Sequence, residues 1–193
     1  MADRPLSRVP PSVDAVGCYR PRRHTHLKRT TGRTANDHLD CFEPELVVIP
    51  CGSRKLDRRA PAGDLYLGSY HRACRRAAEA LEPGRLLILS ARYGLLDLDD
   101  VIEPYDTPHG AADSITADAV LEQARQRDVI LRGPVVALGG ARHVSLVRAV
   151  WPEALTPLAG TRGMGEQMAR LAELRRGRPG RRTDSVERGP VIP

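Results

Sequence analysis

The pattern of apolar and polar residues changes character at Leu46. Residues 1–44 mix Pro, Arg, Thr and Asp without any apolar periodicity, which predicts a disordered N-terminal tail. From Leu46 onward, short runs of consecutive apolar residues alternate with longer amphipathic stretches. Such runs are typical of strands that are buried on both faces of a sheet. The predicted strands are residues 46–49, 86–89, 134–138 and, more briefly, 154–158.

The stretches between these strands place apolar residues at helical spacing. Thr116, with Asp118 in the following turn, has the residue types of a helix start, and Ser69 is the predicted N-cap of the first helix. Strands that alternate with helices imply a parallel sheet that is covered by helices on both faces. The predicted helices are residues 68–81, 116–131, 141–150 and 164–174.

A single α/β domain therefore accounts for residues 45–174. We expect a three-layer α/β/α arrangement around a mostly parallel sheet of about four strands. Residues 175–193 are rich in Arg, Gly and Pro and predict a second disordered tail. In this architecture ligands bind beyond the carboxyl ends of the strands. The loops at 51–64, 90–108 and 139–143 should therefore share one rim of the sheet.

The first of these loops contains the most unusual residues. Cys51 directly follows a strand and is a candidate nucleophile, although a buried cysteine would equally suit the core. Lys55 is the only lysine of residues 45–174, in a chain that otherwise uses arginine, which favours a role as nucleophile or phosphate ligand. Gly52 allows the backbone to approach a ligand closely, with Ser53 beside it.

Four of the five tyrosines lie at the end of this loop and in the second loop. Tyr66, Tyr93 and Tyr105 are candidates to stack on a ring, with hydroxyl groups that orient it. Ser69 and His71 begin the first predicted helix, where an anion could bind. His71 titrates near neutral pH and is a candidate acid or base, although an ordinary histidine of a first helical turn fits as well.

The second loop adds carboxylates and a hydroxyl group. Glu103, which Pro104 holds extended, and Asp106 are candidate general bases or hydroxyl clamps. Ser90, at the end of a predicted strand, is a candidate ligand-binding residue. The acidic run at 97–100 is interpreted as a solvated turn.

The third loop joins a strand to a helix through Gly139 and Gly140, which could cradle a phosphate. The Walker pattern GxxxxGK[ST] is absent, which excludes a P-loop GTPase or ATPase. The four cysteines are irregularly spaced and fit no common zinc pattern, so we expect neither a metal ion nor a cofactor.

The net charge of +6 belongs to the tails rather than to the domain. Residues 1–44 hold eight basic and five acidic side chains, residues 175–193 hold six and two, and residues 45–174 hold sixteen and seventeen. Such tails allow a weak, salt-sensitive affinity for nucleic acid, although an arginine excess is also common in proteins of high-GC genomes. Because no apolar run could cross a membrane and no secretory signal is visible, we expect a cytoplasmic protein.

Three motifs within residues 46–172 resemble a known family. They are Cys-Gly-Ser-Arg-Lys at 51–55, Pro-Ala-Gly-Asp-Leu-Tyr at 61–66, and Ile-Leu-Ser-Ala-Arg-Tyr-Gly-Leu-Leu at 88–96 followed by Ile-Glu-Pro-Tyr-Asp at 102–106. Together they resemble the bacterial family catalogued as domain of unknown function 6884. The resemblance implies membership of that family and names no activity.

A fainter similarity links Pro50, Cys51, Lys55, Ser69 and His71 to a signature of archaeosine synthase. That enzyme attaches lysine to a modified base of transfer RNA, and its corresponding domain is similar to uracil-DNA glycosylase. The stretch between Lys55 and Ser69 is longer here, and the zinc and RNA-binding modules of that enzyme have no counterpart. The similarity implies a pocket for a base or nucleotide rather than the same reaction.

The leading hypothesis is a glycosylase-like or transferase-like enzyme that acts on a nucleobase, a nucleotide or a modified base of a nucleic acid. Lys55 would serve as nucleophile or phosphate ligand, the tyrosines would frame the ring, and Glu103 or His71 would move protons. One alternative is a non-catalytic module that binds a nucleotide or nucleic acid, in which the basic tails bind the polyanion. Another is a redox-responsive stress protein that works through Cys51.

Overall fold

The computed structural model describes residues 43–130 and 132–176, so the predicted tails at 1–44 and 175–193 lie almost wholly outside the described residues. The elements are β1 Leu46–Pro50, β2 Ala60–Pro61, α1 Ala62–Leu65, α2 Ser69–Ala80, β3 Arg85–Ser90, β4 Gly94–Leu96, β5 Val101–Ile102, α3 Ala117–Gln126, β6 Val135–Ala137, α4 Ala141–Val150 and α5 Met164–Arg176.

A four-stranded sheet in the order β4–β3–β1–β6 forms the centre of the domain. β1 pairs in parallel with β3 and with β6, and β4 adds an antiparallel strand to the far edge of β3. Every residue of β1 is buried, as its apolar run predicts for a strand covered on both faces. The predicted α/β class with a mostly parallel sheet is confirmed.

Four of the described helices form two pairs, α3 with α4 and α2 with α5. Alternate side chains of the parallel strands, among them Leu46 and Val48, join residues of α3 and α4 such as Val120 and Val147 in one apolar cluster. α2 packs on β1 and on α5. Since successive side chains of a strand point to opposite faces, both faces of the sheet contribute to the core.

The fourth strand of the sheet is β4, and the strand predicted at 154–158 is wrong. In that segment Leu155 forms a single parallel bridge to Val136, accepting from the backbone N–H of Ala137 and donating to the carbonyl of Val135. Pro157 has no N–H, so the segment cannot extend the ladder.

Two helix ends differ from the sequence prediction. Gly68, not Ser69, is the N-cap of α2, and its carbonyl accepts the backbone N–H of Arg72. α3 begins after Thr116 as predicted, and the Thr116 side chain accepts from the backbone N–H of Ala119. That helix ends at Gln126 instead of 131, because Asp128 adopts a φ of 54° and turns the chain away.

The two long loops predicted at 51–64 and 90–108 contain structure of their own and are joined. β2 of the first loop pairs with β5 of the second, with Ala60 opposite Ile102. The backbone N–H of Gly63 also donates to the carbonyl of Leu98 at 2.8 Å. The loops that follow β1 and β3 are therefore held together, which matters because both carry candidate site residues.

The acidic run at 97–100 is not a solvated turn. The Asp97 carboxylate receives three hydrogen bonds from the guanidinium of Arg85, and it also pairs with Arg127. Arg127 reaches Asp100 as well, at 3.0 Å. These half-buried ion pairs connect the end of α3 to the loop between β4 and β5.

Within residues 43–130 and 132–176, the structure has no helix with both the length and the apolar character that a membrane crossing requires.

Gly94 should be the glycine whose replacement costs most. It has a φ of +78°, and a Cβ there would overlap the amide of Gln123, which accepts from the Leu95 N–H and donates to the Tyr93 carbonyl. We expect Gly94→Ala to lower the free energy of unfolding by about 3 kcal/mol, because left-handed strain adds to two lost hydrogen bonds. Urea unfolding followed by circular dichroism measures this.

Gly110 provides the matched control for that measurement. It has a φ of +89°, and nothing lies within 4 Å of the position of its Cβ. Gly110→Ala should therefore cost only the backbone strain, about 1 kcal/mol. Equal losses in the two variants would contradict the role assigned to Gln123.

Candidate active site at the strand ends

Cys51 stands at the carboxyl end of the central strand β1. Its backbone N–H donates to the carbonyl of Leu89 at 3.2 Å, so the parallel pairing with β3 continues one residue past the strand and fixes the position of the thiol. The residue is half-buried. It is therefore protected by the fold but still open to a small reagent.

The thiol of Cys51 contacts the imidazole of His109, with 3.5 Å between Sγ and Nε2. His109 lies in the segment between β5 and α3. Within that segment the buried Thr107 hydroxyl donates to the Asp113 carboxylate at 2.8 Å, and the Arg142 guanidinium donates to the His109 carbonyl at 3.4 Å. A loop fixed at these points can hold an imidazole against a thiol 58 residues earlier in the chain.

This environment lowers the pKa of Cys51. Burial raises the pKa of the thiol, but hydrogen bonds from His109 and Tyr105, the charge of His109 and the backbone N–H of Ala91 together lower it below its ordinary value of 9.0. A thiol whose pKa is lowered by a neighbouring imidazole is a stronger nucleophile at neutral pH than a free cysteine.

Three tyrosines form a cluster beside the thiol. The Tyr105 hydroxyl accepts from the Ser90 hydroxyl at 2.8 Å and lies 3.0 Å from the Tyr66 hydroxyl. The Tyr93 ring meets the Tyr105 ring edge to face, with 5.4 Å between centroids. Burial is the largest of the causes that raise the pKa of Tyr66 to about 12. It is also the largest cause that raises the pKa of Tyr105. Both phenols therefore stay protonated and belong to one hydrogen-bonded group with Ser90.

Lys55 places a cation over this cluster. Its Nζ lies 4.2 Å from the centre of the Tyr105 ring and 6.0 Å from that of Tyr66. The backbone explains the placement, because Lys55 and Tyr66 face each other in an antiparallel bridge that is flanked by hydrogen bonds from Leu56 to Leu65 and from Leu67 to Arg54. The amine also donates to the carbonyl of Ser53.

His71 lies behind the tyrosine cluster as a buried residue of α2. Its Nδ1 is 2.8 Å from the carbonyl of Pro50, which can only accept, so Nδ1 carries the proton. Its ring contacts Tyr66 at 5.0 Å between centroids. Burial lowers the pKa of His71, aided by the charges of Arg75 and Arg72 and opposed by the bond to Pro50. His71 is therefore neutral at pH 7.

His143 lies in the first turn of α4, close to His109. Its ring is fully buried, 3.2 Å from the carbonyl of Val48, and its centroid lies 6.5 Å from that of His109. A Cβ on Gly139 would overlap the His143 ring, so glycine is required there to make room for the imidazole. Gly140 is the N-cap of α4, with open space where its Cβ would be.

A cleft of about 360 Å³ opens beside Cys51. Gly52 and Ser53 form one wall and Ser69 stands on the other, at the start of α2. A Cβ on Gly52 would approach the Cβ atoms of Tyr66 and His71 to 3.3 and 3.4 Å, so the backbone packs closely here. Cys51 lines this cleft, whereas Lys55 and the three clustered tyrosines do not.

Glu103 and Asp106, the carboxylates that the sequence proposes as bases, are both exposed. What links Glu103 to the cluster is its backbone carbonyl, which accepts from the Tyr93 hydroxyl at 3.4 Å. The structure thus brings together Cys51, Lys55, Ser90 and the three tyrosines, and it leaves these two side chains at the rim.

The sequence reasoning missed His109 and His143. Each lies in a strand-end segment without any local pattern that separates a functional histidine from a turn or helix residue. One signal was present: two of the three histidines of residues 45–174, His109 and His143, fall in or directly after a predicted strand-end loop. Within the described residues, no group of three or more His, Cys, Asp or Glu is placed to hold a metal ion.

The comparisons with known proteins give one match. A model described as a family of unknown function (DUF6884) matches residues 46–173. No curated protein and no solved structure matches the chain. The similarity to archaeosine synthase therefore stays a prediction.

Proposed function

Since the chain belongs to DUF6884, a family of unknown function, we propose its activity from the geometry of the site: it is an enzyme that acts on a nucleobase, a nucleotide or a modified nucleic-acid base, with Cys51 as nucleophile. The contact of 3.5 Å between the Cys51 thiol and His109 carries this proposal, because it joins a nucleophile to a base. Sequence alone favoured Lys55 as the nucleophile, and the imidazole partner favours Cys51.

The proposed chemical step is addition of the thiol to an electron-poor ring carbon. The Cys51 sulfur supplies the electron pair of the new C–S bond, and the thiol proton passes to Nε2 of His109. The electron pair of the attacked ring double bond moves to a ring nitrogen or exocyclic oxygen, which His109 then protonates. When the C–S bond breaks, its electron pair leaves with the sulfur, the ring double bond re-forms as the ring atom gives its proton back to His109, and His109 returns a proton to the thiolate.

The surrounding residues suit a planar, polar substrate. Tyr66, Tyr93 and Tyr105 offer ring faces and edges. The ammonium group of Lys55 can neutralise a phosphate or a developing ring oxyanion, since a compact cation of this kind binds either. These groups all lie within one loop pair that the β2–β5 pairing holds together.

The test is protection of Cys51 from alkylation. The four common nucleosides, their 5′-monophosphates and a short single-stranded RNA are added separately, and the rate of iodoacetamide labelling of the Cys51 peptide is measured by mass spectrometry. We expect at least one of these probes to slow labelling roughly tenfold by occupying the cleft. If none of them protects the thiol, the proposed substrate class is wrong.

Lys55 variants test the role of the amine in the same assay. Lys55→Ala should weaken protection about tenfold through loss of a charged contact, and Lys55→Arg should restore only part of it. Arg125→Ala is the control, because Arg125 is an exposed residue of α3 that pairs with Glu122. Unchanged protection in Lys55→Ala would contradict the assignment of Lys55.

A redox role for Cys51 is the second candidate, and the same thiol–imidazole contact favours it. In that case the thiolate attacks hydrogen peroxide, the O–O bond breaks, and sulfenic acid and hydroxide form. Cys74 is a poor partner for a disulfide, because burial raises its pKa to about 12. Rapid peroxide oxidation of Cys51, without protection by any nucleotide, would favour this candidate over the first.

A further inference from the structure

Two buried imidazole nitrogens face the inner side of the thiol site. They are Nδ1 of His109 and Nδ1 of His143, and, like Nε2 of His71, neither has a hydrogen-bond partner among the protein atoms that the structure describes. The two rings lie 6.5 Å apart between centroids, at an interplanar angle of 70°. A buried polar atom without a partner costs free energy, so a pair of them beside a reactive thiol needs an explanation.

The hydrogen bond of His143 fixes its tautomer. Its Nε2 lies 3.2 Å from the carbonyl of Val48, which can only accept, so Nε2 carries the proton. Burial lowers the pKa of His143 to about 3, so the ring is neutral at pH 7. Its Nδ1 is therefore a bare acceptor.

His109 presents the opposite character. When the Cys51 thiol is protonated, it donates to Nε2 of His109, and the single proton of the neutral ring is then on Nδ1. When the thiol gives up its proton, both ring nitrogens carry one. In both states Nδ1 of His109 is a donor, whereas Nδ1 of His143, on the neighbouring ring, is an acceptor.

We propose that His143 is a positioning residue for the Cys51–His109 pair, and that its Nδ1 accepts the N–H of His109 Nδ1 through one buried water. The water satisfies both nitrogens, which no protein atom does. The overlap that a Cβ on Gly139 would create shows that the chain makes room for this imidazole. The inference rests on the proposed nucleophilic role of Cys51.

The consequence for the thiol follows from the charge on His109. An acceptor at Nδ1 stabilises the protonated ring of His109 more than the neutral one, and a protonated ring stabilises the thiolate of Cys51. The other ionisable groups next to the pair are the phenol of Tyr105 and the guanidinium of Arg142, which contacts the His109 backbone. His143 therefore acts through His109 without touching the substrate.

The test uses the full chain and iodoacetamide as probe. The rate of alkylation at the Cys51 peptide is measured from pH 5 to pH 10. His143→Leu, which removes the acceptor, should lower the rate at pH 7 about tenfold and shift the profile to higher pH, and His143→Gln, which keeps an acceptor, should stay within about threefold of the wild type. Val147→Ala, a core change in the same helix, controls for loosening of α4.

The outcomes separate the two proposals. If wild-type Cys51 reacts like a free cysteine, the nucleophile itself is wrong and both proposals fail. If wild-type Cys51 is reactive and His143→Leu has the same profile, this inference alone is overturned.

A measurement on the wild type covers the case in which His143→Leu does not fold. Nitrogen-15 NMR of the histidine rings should find His143 neutral at pH 5 with its proton on Nε2, and should find a proton on Nδ1 of His109. A His143 ring with its proton on Nδ1 would overturn the inference.

Discussion

Replacement of His109 by Leu should slow alkylation of Cys51 by iodoacetamide roughly 30-fold at pH 7. In the wild type, the hydrogen bond and charge of His109, together with the hydrogen bonds from Tyr105 and the backbone N–H of Ala91, outweigh burial and lower the pKa of the thiol. Without His109 burial dominates, so the pKa rises and the thiolate fraction at neutral pH falls. A thiol of higher pKa is intrinsically more nucleophilic, which limits the loss.

The pH profile gives the sign of this effect. Below the pKa of Cys51 the thiolate is protonated, so both rates fall as the pH is lowered, and the variant starts to fall at higher pH. The two curves should approach each other as the pH rises and the thiol of the variant also ionises. Cys74 is an internal control, because its pKa of about 12 should leave it unlabelled in either protein. Parallel curves that never converge would show that His109 matters for access rather than for ionisation.

Acid should destabilise the protein between pH 6.5 and pH 4 through its buried histidines. Burial lowers the pKa of His143 to about 3, from an ordinary value of 6.5, and it lowers that of His71 in the same direction. In this pH range the unfolded chain therefore binds more protons than the folded chain. The free energy of unfolding should fall by up to about 1.4 kcal/mol per pH unit for each histidine.

Urea unfolding at half-unit pH steps measures that slope. The stability that the neutral rings contribute is present above pH 6.5 and is lost progressively as the pH falls toward the folded pKa of His143. His143→Gln should reduce the slope by up to about 1.4 kcal/mol per pH unit, because glutamine does not titrate. If the free energy of unfolding of His143→Gln falls as steeply with decreasing pH as that of the wild type, His143 takes up its proton before the protein unfolds.

The parts of the fold that could be predicted are those in which local pattern and tertiary environment agree. The apolar run at 46–49 implies burial on both faces, and β1 is the central strand of the sheet. The helix at 141–150 has its predicted bounds, since Gly140 and Pro152 delimit it in the sequence itself. The strand positions of two candidate residues were also predictable, because Cys51 directly follows β1 and Ser90 is the last residue of β3.

The missed features depend on contacts between distant segments. β5 is two residues long and exists because β2, about forty residues earlier, pairs with it. The Asp97 carboxylate is held by arginines of β3 and of the end of α3, which no local pattern reveals. His109 belongs to a turn-like segment and becomes a thiol partner only because the fold carries that segment over β1.

The position of β1 at the centre of the sheet has a consequence for synthesis on the ribosome. It is the first described strand to be made, yet one of its edges pairs with β3 and the other with β6, which begins at Val135. At ordinary translation speeds the second partner emerges on the order of ten seconds after β1. During that interval an apolar strand is exposed along one edge, and the nascent chain depends on chaperones or on solubility of its other segments to avoid aggregation. The thiol at the end of the strand gains its imidazole neighbours only late in this sequence of events.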